Sequence, residues 1–542
     1  MTILRDIPVL SMIMLTPLAG LLIVLLLPKQ RGNWIRITAV AAVLVPLILS
    51  LLVYGGYDQE RGGASYDEKL SWVNVPLNKE PQQGVSDYLL TIDYSLGIDG
   101  FSLPLVLLTA LVTAMAALAS FSVKKRSKAF YAWLLLLEAG MLGVFMARDL
   151  FLFFICFEIT LIATYFLIGI WGNYNREKAA NQFLIYNGIG SAIMLLAFVL
   201  LVNTAGFRIE QTGGQLQYIY SSSYETIALH LSDPAAWANM SPELIGSLNP
   251  FYMSNAMQWT LFIMLLVAFG IKLPIFPFHT WMLKVHAEAS PSVVMLHSGI
   301  LLKMGAYGLI KFGVLLFPLQ ARDWAVVLAI LGLVNLLYGA VLAFRQTELR
   351  LVFAYSSISH MGIVLLGIAA FNELGLQGAM VQLVSHGLIS ALLFLILGSI
   401  YERTGTTELA ELGGLARSMP FMSGMLLTAG LASLGLPGLS GFVGELLSLL
   451  GLFESMKWLT AIAVIGIILT AAYMLRAVLK ITFGPQSDNY TALKDARLIE
   501  ALPMIVLLAF IVLIGCYPSV LTDTMGLTFE GLYDNLFARA GG

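Results

Sequence analysis

The chain has 542 residues, 58% hydrophobic and only 11% charged, where a soluble domain carries about 25% charged residues. That balance excludes a sizeable water-soluble domain and marks a polytopic membrane protein. A net charge of −2 argues against nucleic acid as a partner, and the two cysteines, Cys156 and Cys516, give no disulfide framework and no zinc, haem or iron–sulfur spacing.

The first apolar run, 9–28, has the look of a signal peptide, but it is long enough to span and a second span follows at once. It reads as an uncleaved anchor. Fourteen spans are expected in all, near 9–27, 35–54, 100–121, 129–147, 149–171, 179–203, 258–283, 291–317, 323–344, 350–371, 375–400, 420–452, 457–481 and 499–521. The fold class is therefore all-α and polytopic, a single membrane domain over 1–542. Two connections are long, 55–99 and 204–257. Of the 30 Lys and Arg, 18 collect on one side of the membrane and 10 on the other, over much longer loops. This bias places both termini and both long loops away from the cytoplasm.

The chain also repeats itself. "NGIGSAIMLL" (187–196) in span 6 matches "HGLISALLFL" (386–395) in span 11, and "LIGI" (167–170) matches "LLGI" (365–368). "KLPIFP" (272–277) in span 7 meets "GLPGLS" (435–440) in span 12. An offset of five spans turns the units upside down. Spans 4–8, about 129–317, and spans 9–13, about 323–481, are expected to be inverted repeats with helices 7 and 12 broken. Such repeats point to a transport pathway at their interface.

Proline removes the donor for the carbonyl four residues back. Pro274 should free the Gly270 carbonyl, Pro277 that of Leu273 and Pro437 that of Ser433, and unpaired backbone is tolerated in a membrane only inside protein or beside a water-filled cavity. Charges sit beside these breaks. Glu158 lies at the centre of "DLFLFFICFEITLIATYFLIGIWG", where a charged residue costs about 2.5–3.5 kcal/mol to insert. Lys272 is its natural counter-ion. Lys303 is a second buried cation and Glu445 a second buried acid. His279, His286, His297, His360 and His386 lie in or beside spans, and imidazole suits a proton relay. No metal-ligand cluster, Rossmann fingerprint, P-loop or nucleophile elbow is found.

"LGIDGFSLPLVLLT" (96–109), "FEITLIATYFLIGIWG", "KLPIFPFHTWMLKVHAEASPSVVMLHSGILLKMGAYG" and "AYSSISHMG" (354–362) together resemble the antiporter-like membrane subunits of respiratory complex I, the NADH-quinone oxidoreductase. Nearly the whole chain is covered, and the subunit M branch, chain 4 in mitochondria, is the most similar. The resemblance implies a proton-translocating subunit of a bacterial inner (plasma) membrane translocase. It works among sister antiporter-like subunits, while FMN, iron–sulfur clusters and quinone belong to partner subunits. The family's titratable positions fall here on Glu158, Lys272, Lys303, His360, His386 and Glu445, with His279 as a further relay candidate. Two departures stand out: "QTELRLVF" has Leu351 where a second basic residue is usual, and the 204–257 loop is long. A subunit of a multi-subunit Na⁺/H⁺ antiporter is the alternative reading, set against by Glu445 where lysine is expected.

Overall fold

The computed structural model describes residues 7–57, 66–78, 87–212, 215–245, 248–485, 490–491, 493–526 and 528. Thirteen helices among them are long and apolar enough to cross a membrane. Spans 1 to 6 are Val9–Leu26, Gly32–Gly55, Ser102–Ser122, Ser127–Met146, Leu150–Trp171 and Arg176–Thr204. Span 7 is Asn255–Lys272 and continues after a break as Thr280–Glu288. Spans 8 to 11 are Pro291–Val314, Ala325–Arg345, Leu349–Ala369 and Glu373–Thr404, and spans 13 and 14 are Lys457–Phe483 and Leu498–Cys516. The remaining crossing, span 12, is split into Pro420–Ser433 and Ser440–Ser455, each half too short to cross alone. Both ends of the chain, expected on the non-cytoplasmic side, fall largely outside the described residues.

The apolar cores of spans 8 and 11 are fully buried and form the centre of the bundle, whereas fewer than half of the residues in those of spans 1, 2, 13 and 14 are buried. Close packing at this centre requires glycine. A methyl group on Gly305 of span 8 would lie 2.6 Å from the Leu273 nitrogen, so span 8 rests directly on the broken turn of span 7. Span 8 is itself irregular: after an α-helical start, Pro291–Leu296, π-helical stretches His297–Leu301 and Leu309–Val314 flank the α-helical stretch Leu302–Gly308 that carries Lys303. Wide turns of this kind are rare and concentrate at functional sites.

The sequence reading had no strands, and here the structure adds to it. The two long loops meet in a four-stranded sheet made of β1 (Glu68–Pro76), β2 (Asp87–Leu96), β3 (Phe207–Thr212) and β4 (Gln215–Ser221), in the order β1-β2-β4-β3. The β2–β4 pairing is parallel and joins one loop to the other, so both loops lie on one side of the membrane. Below the sheet, Asp149 caps span 5 by accepting from the Phe151 and Leu152 amides, and it also receives the Ser222 hydroxyl. Asp99, between β2 and span 3, meets Lys311 of span 8 at 2.5 Å. Burial alone would raise the Asp99 pKa, but the Lys311 ammonium, with Arg148 behind it, outweighs burial and holds the carboxyl well below its usual range.

Candidate functional site

The two breaks have the same backbone construction. Helix 7 stops at Lys272, and the Ile275 amide then donates to the Gly270 carbonyl at 2.9 Å in a six-residue turn. Helix 12 stops at Ser433, and Leu436 donates to Leu431 at 3.1 Å in the same turn. A second bond follows in each, Phe278 to Ile275 and Leu439 to Leu436. The Gly270 carbonyl is therefore not left free, contrary to expectation: the chain tightens past Pro274 and brings the next amide onto it.

No motif announces what holds the first break open. Asn335 of span 9, fully buried, accepts from the Phe276 amide at 2.7 Å and donates to the Pro274 carbonyl at 3.3 Å. In the second break Gly435 and Gly438 adopt φ +78° and +91°. A methyl group on Gly435 would sit 2.3 Å from Glu445 Oε2, so glycine here serves both the turn and the approach of that carboxylate to the backbone.

Lys272, the last residue of the first half of helix 7, is 1% exposed. Its ammonium lies 4.9 Å from the centroid of Phe157 and 5.3 Å from that of Phe183, both within cation–π range. Glu158 of span 5 acts on it electrostatically, but the two close no direct hydrogen bond: Glu158 Oε1 and Lys272 Nζ are both without a partner among the described residues. Nearby in span 6, Asn187 Oδ1 and Ser191 Oγ are also unpartnered. Gly190 between them packs on Ala268 and Ile271 just ahead of Lys272. A buried polar atom left without a partner costs about 1–3 kcal/mol, so this polar cluster beside Lys272 is a costly departure from the apolar interior around it.

From Lys272 the polar groups continue towards span 8. Phe183 contacts both Trp281 and His297, and His297 Nδ1 is 3.0 Å from His286 Nε2. Lys303 then bonds the Ser298 carbonyl and meets His386 Nδ1 of span 11 at 2.7 Å. The His386 and His360 rings are 5.4 Å apart. His360 of span 10 reaches the Ser433 hydroxyl at the second break (3.1 Å), the Gln382 amide (3.2 Å) and Glu445 Oε1 (3.6 Å). Lys303, His386, His360 and Glu445 are all at most 4% exposed.

Of the residues singled out in sequence, Lys303, His386, His360 and Glu445 are brought into one file, and Glu158 and Lys272 stand together at its other end. Pro274, Pro277 and Pro437 all fall within the two breaks. His279 is set apart: it stacks on Phe276 and meets the Tyr338 hydroxyl of span 9 at 3.2 Å. Sequence reasoning noticed His286 and His297 only as two histidines among five. Asn335, Gln382 and Ser433 carried no signal, because an uncharged polar residue in a span is commonplace until its partner is known.

The family model described as "NADH:quinone oxidoreductase/Mrp antiporter, TM" matches residues 147–470. Among curated proteins, NAD(P)H-quinone oxidoreductase chain 4 of Prochlorococcus marinus (strain MIT 9515) is 37% identical over 545 residues, covering 98% of this chain and 91% of that one. NAD(P)H-quinone oxidoreductase chain 4 1 of Synechococcus elongatus is 38% identical over 533 residues, covering 97% and 91%. Among solved structures, a chain of respiratory complex I from Thermus thermophilus with bound NADH matches with TM-score 0.79 and 28% identity over 98% of this chain and 100% of that chain. A chain of the Mrp complex from Dietzia sp. matches with TM-score 0.75 over 98% and 99%, but at 21% identity it shares the fold alone.

Proposed function

The chain belongs to the NADH:quinone oxidoreductase/Mrp antiporter membrane family, and we infer that it is a proton-translocating membrane subunit of an NADH-quinone oxidoreductase. NADH oxidation and quinone reduction, with FMN and iron–sulfur clusters, then occur on partner subunits, and this multi-pass chain sits in the membrane beside sister antiporter-like subunits. We place it in a bacterial inner (plasma) membrane, and the Lys/Arg asymmetry supports an orientation with both termini away from the cytoplasm.

The observation that carries the reading is the file of buried titratable groups, Lys303 to His386 to His360 to Glu445, running from the centre of the bundle to the second helix break. Lys272 and Glu158 occupy the corresponding place at the first break. The matching backbone turns at the two breaks support the inverted-repeat organisation of spans 4–8 and 9–13. In this mechanism Glu158 offsets the charge on Lys272, the lysine at the first break takes up a proton, Lys303 and the histidines pass it laterally, and Glu445 exchanges it with the far half-channel. His279, bonded to Tyr338 beside the first break, serves that end of the route as a relay.

Glu445 provides the test. Glu445→Asp keeps an acid and should retain much of the pumping, whereas Glu445→Ala leaves no titratable group and should stop it. Glu445→Lys should pump in part, because the position requires proton exchange and not one sign of charge. An assembled alanine variant that pumps normally in vesicles would remove Glu445 from the pathway.

A further inference from the structure

One fully buried acid has no place in this pathway. Glu138 lies in the middle of span 4, is 0% exposed, and neither carboxylate oxygen has a hydrogen-bond partner among the described residues. Residues seven apart on a helix share a face to within about 20°, so Glu138 points the same way as Tyr131 and Phe145. Tyr131 donates to the Ala117 carbonyl of span 3 at 3.4 Å, and the Phe145 ring packs on Tyr307 of span 8 at 5.3 Å. Glu138 therefore faces the seam between spans 3, 4 and 8.

Lys303 faces the same seam. It lies one turn before Tyr307 and one turn after Gly299, whose added methyl would be 3.3 Å from Val112 of span 3 and 3.4 Å from the Gly387 carbonyl of span 11. Depth agrees as well. Spans 4 and 8 cross in the same direction, and Glu138 is about 10 Å along the axis from the Phe145–Tyr307 contact. The Lys303 backbone is about 6 Å along on the same side, and its ammonium reaches further, to the Ser298 carbonyl.

A proton on Lys303 is poorly matched by its other neighbours. Lys272 has Glu158 and His360 has Glu445, but Lys303 touches a carbonyl and an imidazole, and His286, His297, His360 and Lys272 around it are all bases. Around span 4, span 8 presents Lys303 and Tyr307, span 5 sets Cys156 on Gly143, on the face away from Glu138, and spans 1 to 3 bring no charged residue to this depth. We propose that Glu138 is the counter-charge of Lys303: its carboxylate offsets the ammonium that forms when Lys303 takes the proton and so allows the charge to reside at the bundle centre. The assignment rests on the pathway given above, and Glu138 acts through Lys303 without contacting the file itself.

Glu138→Gln keeps the shape and removes the charge, and it is measured in vesicles holding the assembled complex by proton translocation per NADH oxidised across pH. A single charge at about 10 Å and an effective dielectric of about 20 changes proton affinity roughly tenfold. The alkaline limit of pumping should therefore move down by about one pH unit, with Glu138→Asp close to wild type. Redox-induced infrared difference spectra should in addition lose, in the glutamine variant, one carboxylate band that shifts as Lys303 changes charge. If the glutamine variant does not assemble, Glu138→Leu is read in the same way. An unchanged pH profile and an unchanged carboxyl spectrum would overturn the assignment. Lys303→Ala in parallel separates the two levels: if it too pumps normally, the pathway fails, whereas its loss beside an unaffected Glu138→Gln refutes the counter-charge alone.

Discussion

Asn335 offers a test of whether the break in helix 7 is built or merely tolerated. Its side chain makes two bonds to the broken segment, from the Phe276 amide at 2.7 Å and to the Pro274 carbonyl at 3.3 Å, with no exposure to solvent. Asn335→Ala leaves both backbone groups buried without partners, at about 1–3 kcal/mol each. Even the lower bound, about 2 kcal/mol in total, shifts the balance between the observed turn and its alternatives roughly 30-fold. Asn335→Asp keeps the acceptor for Phe276 but loses the donor to Pro274, and should fall between. Proton translocation per NADH oxidised, with assembly followed by native electrophoresis, is the assay. Pumping should fall in the order wild type, Asp, Ala, while electron transfer on the partner subunits remains. An alanine variant that assembles and pumps like wild type would show that the prolines alone fix the break.

Two further outcomes follow from the charges. Glu158→Gln removes the carboxylate that offsets the Lys272 ammonium and should lower pumping about tenfold or more, with Glu158→Asp far milder; equal losses in the two variants would argue against a charge effect. Asp99→Asn strands Lys311 beside the sheet and should cost roughly 1.5–3 kcal/mol of stability at neutral pH. Because the Asp99 pKa is depressed in the folded protein, that contribution is complete above the unfolded value of about 3.9 and is lost only as pH falls through the lower folded value. Thermal inactivation of wild type and variant should thus differ at pH 7 and still differ near pH 5; curves that already coincide near pH 5 would contradict the Lys311 assignment.

Much of this architecture was legible because the bilayer leaves few options. Runs such as 375–400 have no reading but a span, and lysine or glutamate inside one needs a reason. The internal match of 272–277 with 435–440 located both breaks, although the backbone turns align Leu273 with Leu434 and not with Leu436, two residues from the sequence match. The sheet was missed because it is completed only by the β2–β4 pairing between loops more than a hundred residues apart, although each loop contributes an antiparallel pair of its own. Glu138 was missed for a different reason. In "LLLLEAGMLGVF" it falls in a span with no proline and none of the internal sequence matches, and its significance arises only from the packing of spans 3, 4 and 8.

The central claim is that a buried lysine at a broken helix carries the translocated proton, and Lys272→Ala tests it most directly. Lys272 makes no hydrogen bond among the described residues, and its ammonium rests on two aromatic rings. Its truncation should therefore leave the complex assembled. Proton uptake into vesicles during NADH oxidation, measured on that assembled variant, should be nearly abolished. Uptake at the wild-type level from an equally assembled Lys272→Ala complex would contradict the account.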